Sequence, residues 1–269
     1  MHRGRNRWLT ATAIGFFVFL YLPIIILIVF SFNDSKRNFL WRGFTLKWYP
    51  TLFANDALVS ALVVSLEVAL IAVVVSTALG TLLGLGIARL RSSAAGGTSE
   101  VLLLLPMVTP EIVMGICLLL FFAQAFGAHG SIWQVSIAHV TFSLSYVAII
   151  VRARAVSLDP RMEEAARDLG ASPRETFWHV TLPLVAPAIA AGALIAFALS
   201  IDDLIVTTFN AGVGSSTLPL YIYSRIRFGV TPEINAISTI VVVMTAIAML
   251  VAWRAGAFGG RRSRTGILG

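Results

Sequence analysis

Charge is scarce in this sequence. Charged residues make up 12% of the 269 positions, against about 25% in an average soluble protein, while 58% are hydrophobic. That balance excludes an ordinary globular domain, and it also excludes intrinsic disorder, which needs few apolar and many charged residues. Cysteine is nearly missing: Cys117 stands alone, so it closes no internal disulfide and suits no cysteine metal cluster. Lysine occurs twice, at Lys36 and Lys47, among 20 basic residues. Neither lysine completes the Gly-x-x-x-x-Gly-Lys-Ser/Thr phosphate loop, because Ser35 precedes one and Leu46 the other. The net charge of +7 would suggest nucleic-acid binding in a soluble chain. Here the arginines flank apolar runs and lack an interleaved aromatic platform for bases, so no nucleic-acid partner is expected.

Long apolar runs are abundant. A bilayer core of about 30 Å takes about 20 helical residues at 1.5 Å each, and six runs qualify: residues 9–30, 57–88, 101–126, 131–151, 184–209 and 234–253. They lack the alternation that membrane strands require, so helices are expected. The first run follows Arg3, Arg5 and Arg7 like a signal peptide, but it exceeds the apolar core of one and reads as a retained anchor. Threading the runs alternately with the amino terminus inside puts 14 basic residues in cytoplasmic segments and six outside. Both termini are therefore expected in the cytoplasm. The reading is an all-α integral membrane protein with tails 1–8 and 255–269, a six-span domain over 9–254 and a cytoplasmic loop over 152–183. No internal repeat is visible, and no loop has room for a soluble domain.

That loop reads RMEEAARDLGASPRETFWHVTLPLV. Helix-forming residues run from Glu163 to Leu169, and Gly170 can take the left-handed conformation that ends a helix. Ser172, Pro173 and Glu175 then carry the cap, first-turn proline and third-position acid of a second helix. The pattern Glu164-Ala165-Ala166, Gly170, Val180, Leu182-Pro183 resembles the EAA loop of ABC importer permeases, the inner-membrane components of binding-protein-dependent transport. Segments YLPIIILIVFSFN from Tyr21, WRGFTLKWY from Trp41, PMVTPEIVMGI from Pro106, LSIDDLIVTTF and LPLYIYSRIRFGVTPEINAISTI extend the similarity to permeases of the spermidine/putrescine PotC type.

The resemblance implies a type I importer permease fold and a coupling helix that docks in a groove of a cytoplasmic ATPase. Glu164 would pair with a basic group there, Ala165 and Ala166 would make the close contact, and Gly170, Leu182 and Pro183 would complete the motif. Two ATPase copies, a second and different permease, and an external solute-binding protein are the implied partners. ATP and Mg would sit on the ATPase, leaving no cofactor, metal or catalytic residue on this chain, which is therefore no enzyme. Relatives of this type also carry opines and aminoethylphosphonate, so the resemblance leaves the solute open among amine-containing compounds.

Acids inside apolar runs need a reason, because a carboxylate at the bilayer centre costs about 2.5–3.5 kcal/mol or more. Glu111, ten residues into the third run, lies about 15 Å deep on a straight helix. Pro106 and Pro110 before it are expected to break the helix and free carbonyls for an ammonium donor. Asp202, eighteen residues after Leu184, lies about 27 Å along the fifth run, toward the external face. Glu111, Asp202 and Asp203 thus suggest a cation path, with Asp202 favoured because adjacent helical residues point about 100° apart. The other reading makes the pair a helix cap or a contact to the second permease. Tyr221 and Tyr223 could stack on a cation or anchor at the interface. Glu67 lies in a run long enough to reach beyond the bilayer, and His139 reads as a packed or hydrogen-bonded residue. An ATP-independent cation carrier could use the same acids as a relay, but it leaves the EAA pattern unexplained.

Overall fold

The computed structural model describes residues 7–35, 40–90, 94–127, 130–226 and 231–254. These divide into two compact units, Met1–Ser60 with Ile222–Thr245, and Ala61–Tyr221 with Ala246–Gly269.

In the first unit, α1 (Arg7–Phe30) is apolar on every side, and none of its membrane-length window is buried. A helix of that kind is built to be surrounded by lipid or other helices. After it the chain folds around Asn33, whose Nδ2 donates to Leu40 O (2.8 Å) while its Oδ1 accepts from Arg42 N (2.9 Å). Trp48 Nε1 donates to Asn33 O, and the Ser31 and Tyr49 hydroxyls meet at 2.9 Å. Those bonds seat the short α2 (Trp48–Phe53) before α3 (Asp56–Arg89), which begins in this unit and continues into the second.

The second unit holds α4 (Ala94–Val108), α5 (Glu111–Phe126), α6 (Ile132–Val156), α7 (Arg161–Asp168), α8 (Pro173–Thr176), α9 (Leu182–Asp202), α10 (Ile205–Asn210) and the start of α11 (Leu218–Ile226). A π-turn, Phe177–Thr181, joins α8 to α9, and α12 (Pro232–Arg254) follows α11. Helix α6 is central: Val135, Ala138, His139, Val147, Ala148 and Val151 are completely buried. Helix α3 packs on it at Gly84, where an added Cβ would stand 2.5 Å from Ala148 O. Without a hydrophobic force between helices in lipid, such close backbone approach supplies the packing.

Among the described residues five helices are long and apolar enough to cross a membrane, and a sixth crossing requires α4 and α5 to act as one bent span. Their axes meet at 103°. The straight-helix depth expected for Glu111 therefore has no basis. Of the two prolines expected to break this run, Pro106 lies inside α4, and the chain turns at Pro110, whose ψ of 132° is extended. Proline also disfavours helical geometry at the residue before it, here Thr109. The fifth run is likewise divided, because α9 ends at Asp202 and Asp203 is extended before α10.

Candidate functional site

The two breaks meet at one cavity of about 370 Å³, lined among others by Thr109, Glu111, Phe142, Tyr146, Asp202 and Asp203. No Lys or Arg lies among its lining residues that the structure describes. Glu111 is the first residue of α5 and is exposed, as Asp202 is at the end of α9. Two chain breaks thus deliver two carboxylates to one water-accessible space. Phe142 and Tyr146 add aromatic faces, which attract cations through their ring quadrupoles. They share a face of α6 with His139, at offsets of three and seven residues.

Asp203 lines the same cavity but is committed elsewhere. Its side chain is 7% exposed, and its Oδ2 accepts from Thr207 N (2.8 Å) and Thr207 Oγ1 (2.7 Å), while Oδ1 accepts from Val206 N (3.2 Å). It caps α10. Buried His139 stands behind it, with Nε2 at 3.2 Å from Asp203 Oδ2 and 3.0 Å from Thr207 Oγ1, and Nδ1 at 2.8 Å from Ser200 Oγ. Both ring nitrogens of His139 thus have hydrogen-bond partners, Nδ1 in Ser200 and Nε2 in Thr207 and Asp203. His139 therefore ties α6 to the end of α9 and the start of α10, the packed role expected of it. The cap reading applies to Asp203, and Asp202 is the acid left for the cavity.

Tyr221 and Tyr223 lie on α11, Tyr221 half-buried and Tyr223 exposed, and neither lines the cavity. Glu67 is exposed on α3 and is also outside the lining.

A second feature is the capped loop. Helix α7 buries no residue. Its end is a Schellman turn: Ala171 N donates to Ala166 O (3.1 Å), Gly170 N donates to Arg167 O (2.9 Å), and Gly170 has φ +89°. Ser172 and Glu175 form the reciprocal capping box at the start of α8, with bonds of 3.3 and 2.8 Å. Both devices rest on residues within a few positions of each other, which is why they are readable in the sequence. Glu164 and Ala165 are exposed, and the Glu164 carboxylate has no partner among the described residues. Leu169, 90% exposed, projects beside them. Leu182 instead packs inward against the buried cluster that includes Val151 and Val185, while Pro183 stands exposed in the first turn of α9. Sequence reasoning passed over Glu163, which accepts a 2.6 Å hydrogen bond from Thr181 Oγ1 across 18 residues.

A bent pair beside a divided helix, with an exposed helix on the loop between α6 and α9, gives a multi-helix protein with membrane-length helices. The family model for the inner membrane component of binding-protein-dependent transport systems matches residues 80–263, and the chain belongs to that family. It is thus a membrane component of a transport system, not an enzyme.

The putrescine transport system permease protein PotI of Escherichia coli K12 is 38% identical over 254 residues, covering 93% of this chain and 90% of that protein. The spermidine/putrescine transport system permease protein PotC of Haemophilus influenzae is 40% identical over 235 residues, covering 87% and 90%. Among solved structures, a bacterial alginate ABC transporter in complex with its pentasaccharide-bound periplasmic protein aligns with TM-score 0.71 at 18% identity, covering 97% of this chain and 96% of that one. The inward-facing MetNI methionine ABC transporter aligns with TM-score 0.56 at 18% identity, over 75% and 97%. These two likenesses establish the ABC importer permease fold.

Proposed function

We propose that this chain is one permease subunit of an ATP-driven importer for polyamines, the putrescine and spermidine class carried by its relatives. It works in the bacterial inner membrane with both termini in the cytoplasm, beside a second permease, two cytoplasmic ATPase copies and an external solute-binding protein. ATP and Mg belong to the ATPase. The exposed face of α7, with Glu164, Ala165 and Ala166, docks on that ATPase, and Gly170 shapes its end. Closure of the ATPases moves α7, and the bundle opens toward the external face to take solute from the binding protein. Two states related by such a motion suffice for alternating access, provided ATP and solute each favour one of them.

The observation that carries the solute class is the cavity charge. Glu111 and Asp202 enter it with no Lys or Arg in the lining. A polyamine ammonium replaces its lost hydration there by charge-assisted hydrogen bonds. A zwitterion such as aminoethylphosphonate or an opine needs a cationic partner for its anionic end, and the described lining of this cavity offers none.

The test is uptake by the assembled complex in proteoliposomes, with labelled putrescine, spermidine or aminoethylphosphonate outside and ATP available to the ATPase. ATP-dependent uptake of a polyamine is expected. Uptake of aminoethylphosphonate alone would overturn the solute class, and polyamine movement without any ATPase would overturn the importer.

A further inference from the structure

We infer that Glu163 and Thr181 form the strut that carries motion of α7 into α9, making Glu163 a positioning residue that touches neither solute nor ATPase. The inference rests on the importer reading above.

Helix α7 buries no residue, so packing alone does not hold it to the bundle. The covalent route from Asp168 to Leu182 runs through the left-handed Gly170 and then the π-turn Phe177–Thr181. The π segment lies inside the continuous helix Pro173–Asp202, so the break in this route is the Gly170–Ala171 turn, which carries no helical ladder across it. Across it, the Thr181 hydroxyl donates to Glu163 Oε1 at 2.6 Å. That is the short, charge-assisted kind of bond, roughly twice as strong as a neutral one. Arg167 Nη2, 3.6 Å from Glu163 Oε2, holds the carboxylate from its other side.

Thr181 is 5% exposed and immediately precedes Leu182, which opens α9 and packs against the buried cluster that includes Val151 and Val185. Helix α9 then runs 21 residues to Asp202 at the acidic cavity. A push on α7 therefore reaches Asp202 through one hydrogen bond and the length of α9. Adjacent helical residues diverge by about 100°, which divides the acidic pair: Glu164 faces outward, and Glu163 faces the bundle. A second cavity of about 320 Å³, lined by Arg89, Asp159, Glu163, Thr181 and Leu184, lies under the strut. It leaves room for α7 to shift without dragging α9 once the bond is gone.

The test uses the assembled complex with a reporter thiol in the acidic cavity, Ile205→Cys in a Cys117→Ser background. Maleimide labelling is followed with and without ATP plus vanadate, and ATPase retention is followed by co-purification. In the parent, trapping the nucleotide is expected to change the labelling rate. Glu163→Ala and Thr181→Val should each shrink that change by about tenfold, the equivalent of losing one hydrogen bond to a charged group. Glu163→Gln, whose amide oxygen still accepts from Thr181 in a neutral bond, should lose only about threefold, and Glu163→Ala combined with Thr181→Val should be no worse than either alone. A parent-like response in both single variants, failure of Glu163→Gln to the level of Ala, or additive defects would each overturn the strut. A parent complex that ignores nucleotide would overturn the importer reading and the strut with it.

Discussion

Replacing Asp203 by Asn is expected to destabilise the break between α9 and α10, whereas the same replacement at Asp202 should leave the fold intact and impair uptake. The two residues are neighbours with the same charge, so only their surroundings separate them. Asp203 Oδ2 faces three donors: Thr207 N at 2.8 Å, Thr207 Oγ1 at 2.7 Å and His139 Nε2 at 3.2 Å. Oδ1 faces a fourth, Val206 N at 3.2 Å. An Asn side chain turns one of these oxygens into a donor pointed at donors. Each hydrogen bond to a charged group contributes about 1.5–3 kcal/mol. With the Asn oxygen turned to the three donors at the Oδ2 position, its amide opposes only Val206 N; that lost bond, with the other three reduced to neutral strength, amounts to about 3–5 kcal/mol. For a chain of this size, roughly 2–4 °C per kcal/mol gives a fall in apparent Tm of about 10 °C. The assay is thermal unfolding of the detergent-purified complex, followed by size-exclusion of the surviving fraction. Asp202, exposed at the cavity, should keep the wild-type Tm as Asn while uptake of labelled putrescine falls about tenfold, one lost charge-assisted contact. An Asp203→Asn protein melting within about 2 °C of wild type would refute the assignment, as would an Asp202→Asn protein that melts equally early.

Gly170→Pro fixes φ near −65° where the chain needs +89° and removes the amide that donates to Arg167 O, so ATP-driven uptake should vanish while membrane insertion persists. Wild-type uptake by that variant would refute the coupling role of the turn. Gly84→Leu places a Cβ 2.5 Å from Ala148 O, and overpacking of about 1–3 kcal/mol or more should lower the amount of folded protein extracted from membranes. An extraction yield equal to wild type would show that α3 and α6 can separate without loss.

How much could be read in advance follows from how local each signal is. The apolar runs and the caps at Gly170 and Ser172 are short-range, and they appear in the structure as helices and turns close to their expected places. Pro106 and Pro110 looked equivalent on paper, yet only Pro110 turns the chain, because a proline within a helix is accommodated when neighbouring groups satisfy the freed carbonyl. The acidic pair at 202 and 203 stood out at once as chemistry, with Asp202 favoured for the path, but the network that holds Asp203 did not, since His139 lies more than sixty residues away and had no visible partner. Glu163 was hidden by the same distance effect, its partner Thr181 lying beyond a turn that the residue pattern did not reveal.

Amino-acid order alone determined that the chain is helical, that it belongs in a membrane and that its long loop ends one helix and starts another. Those outcomes depend on apolar run length and on hydrogen bonds between residues a few positions apart, quantities that exist before any packing. Only the tertiary arrangement decided which of two adjacent carboxylates is held in a hydrogen-bond network and which faces an open cavity. Burial and bond partners from distant helices set that choice, and they come into being when α6, α9 and α10 pack together.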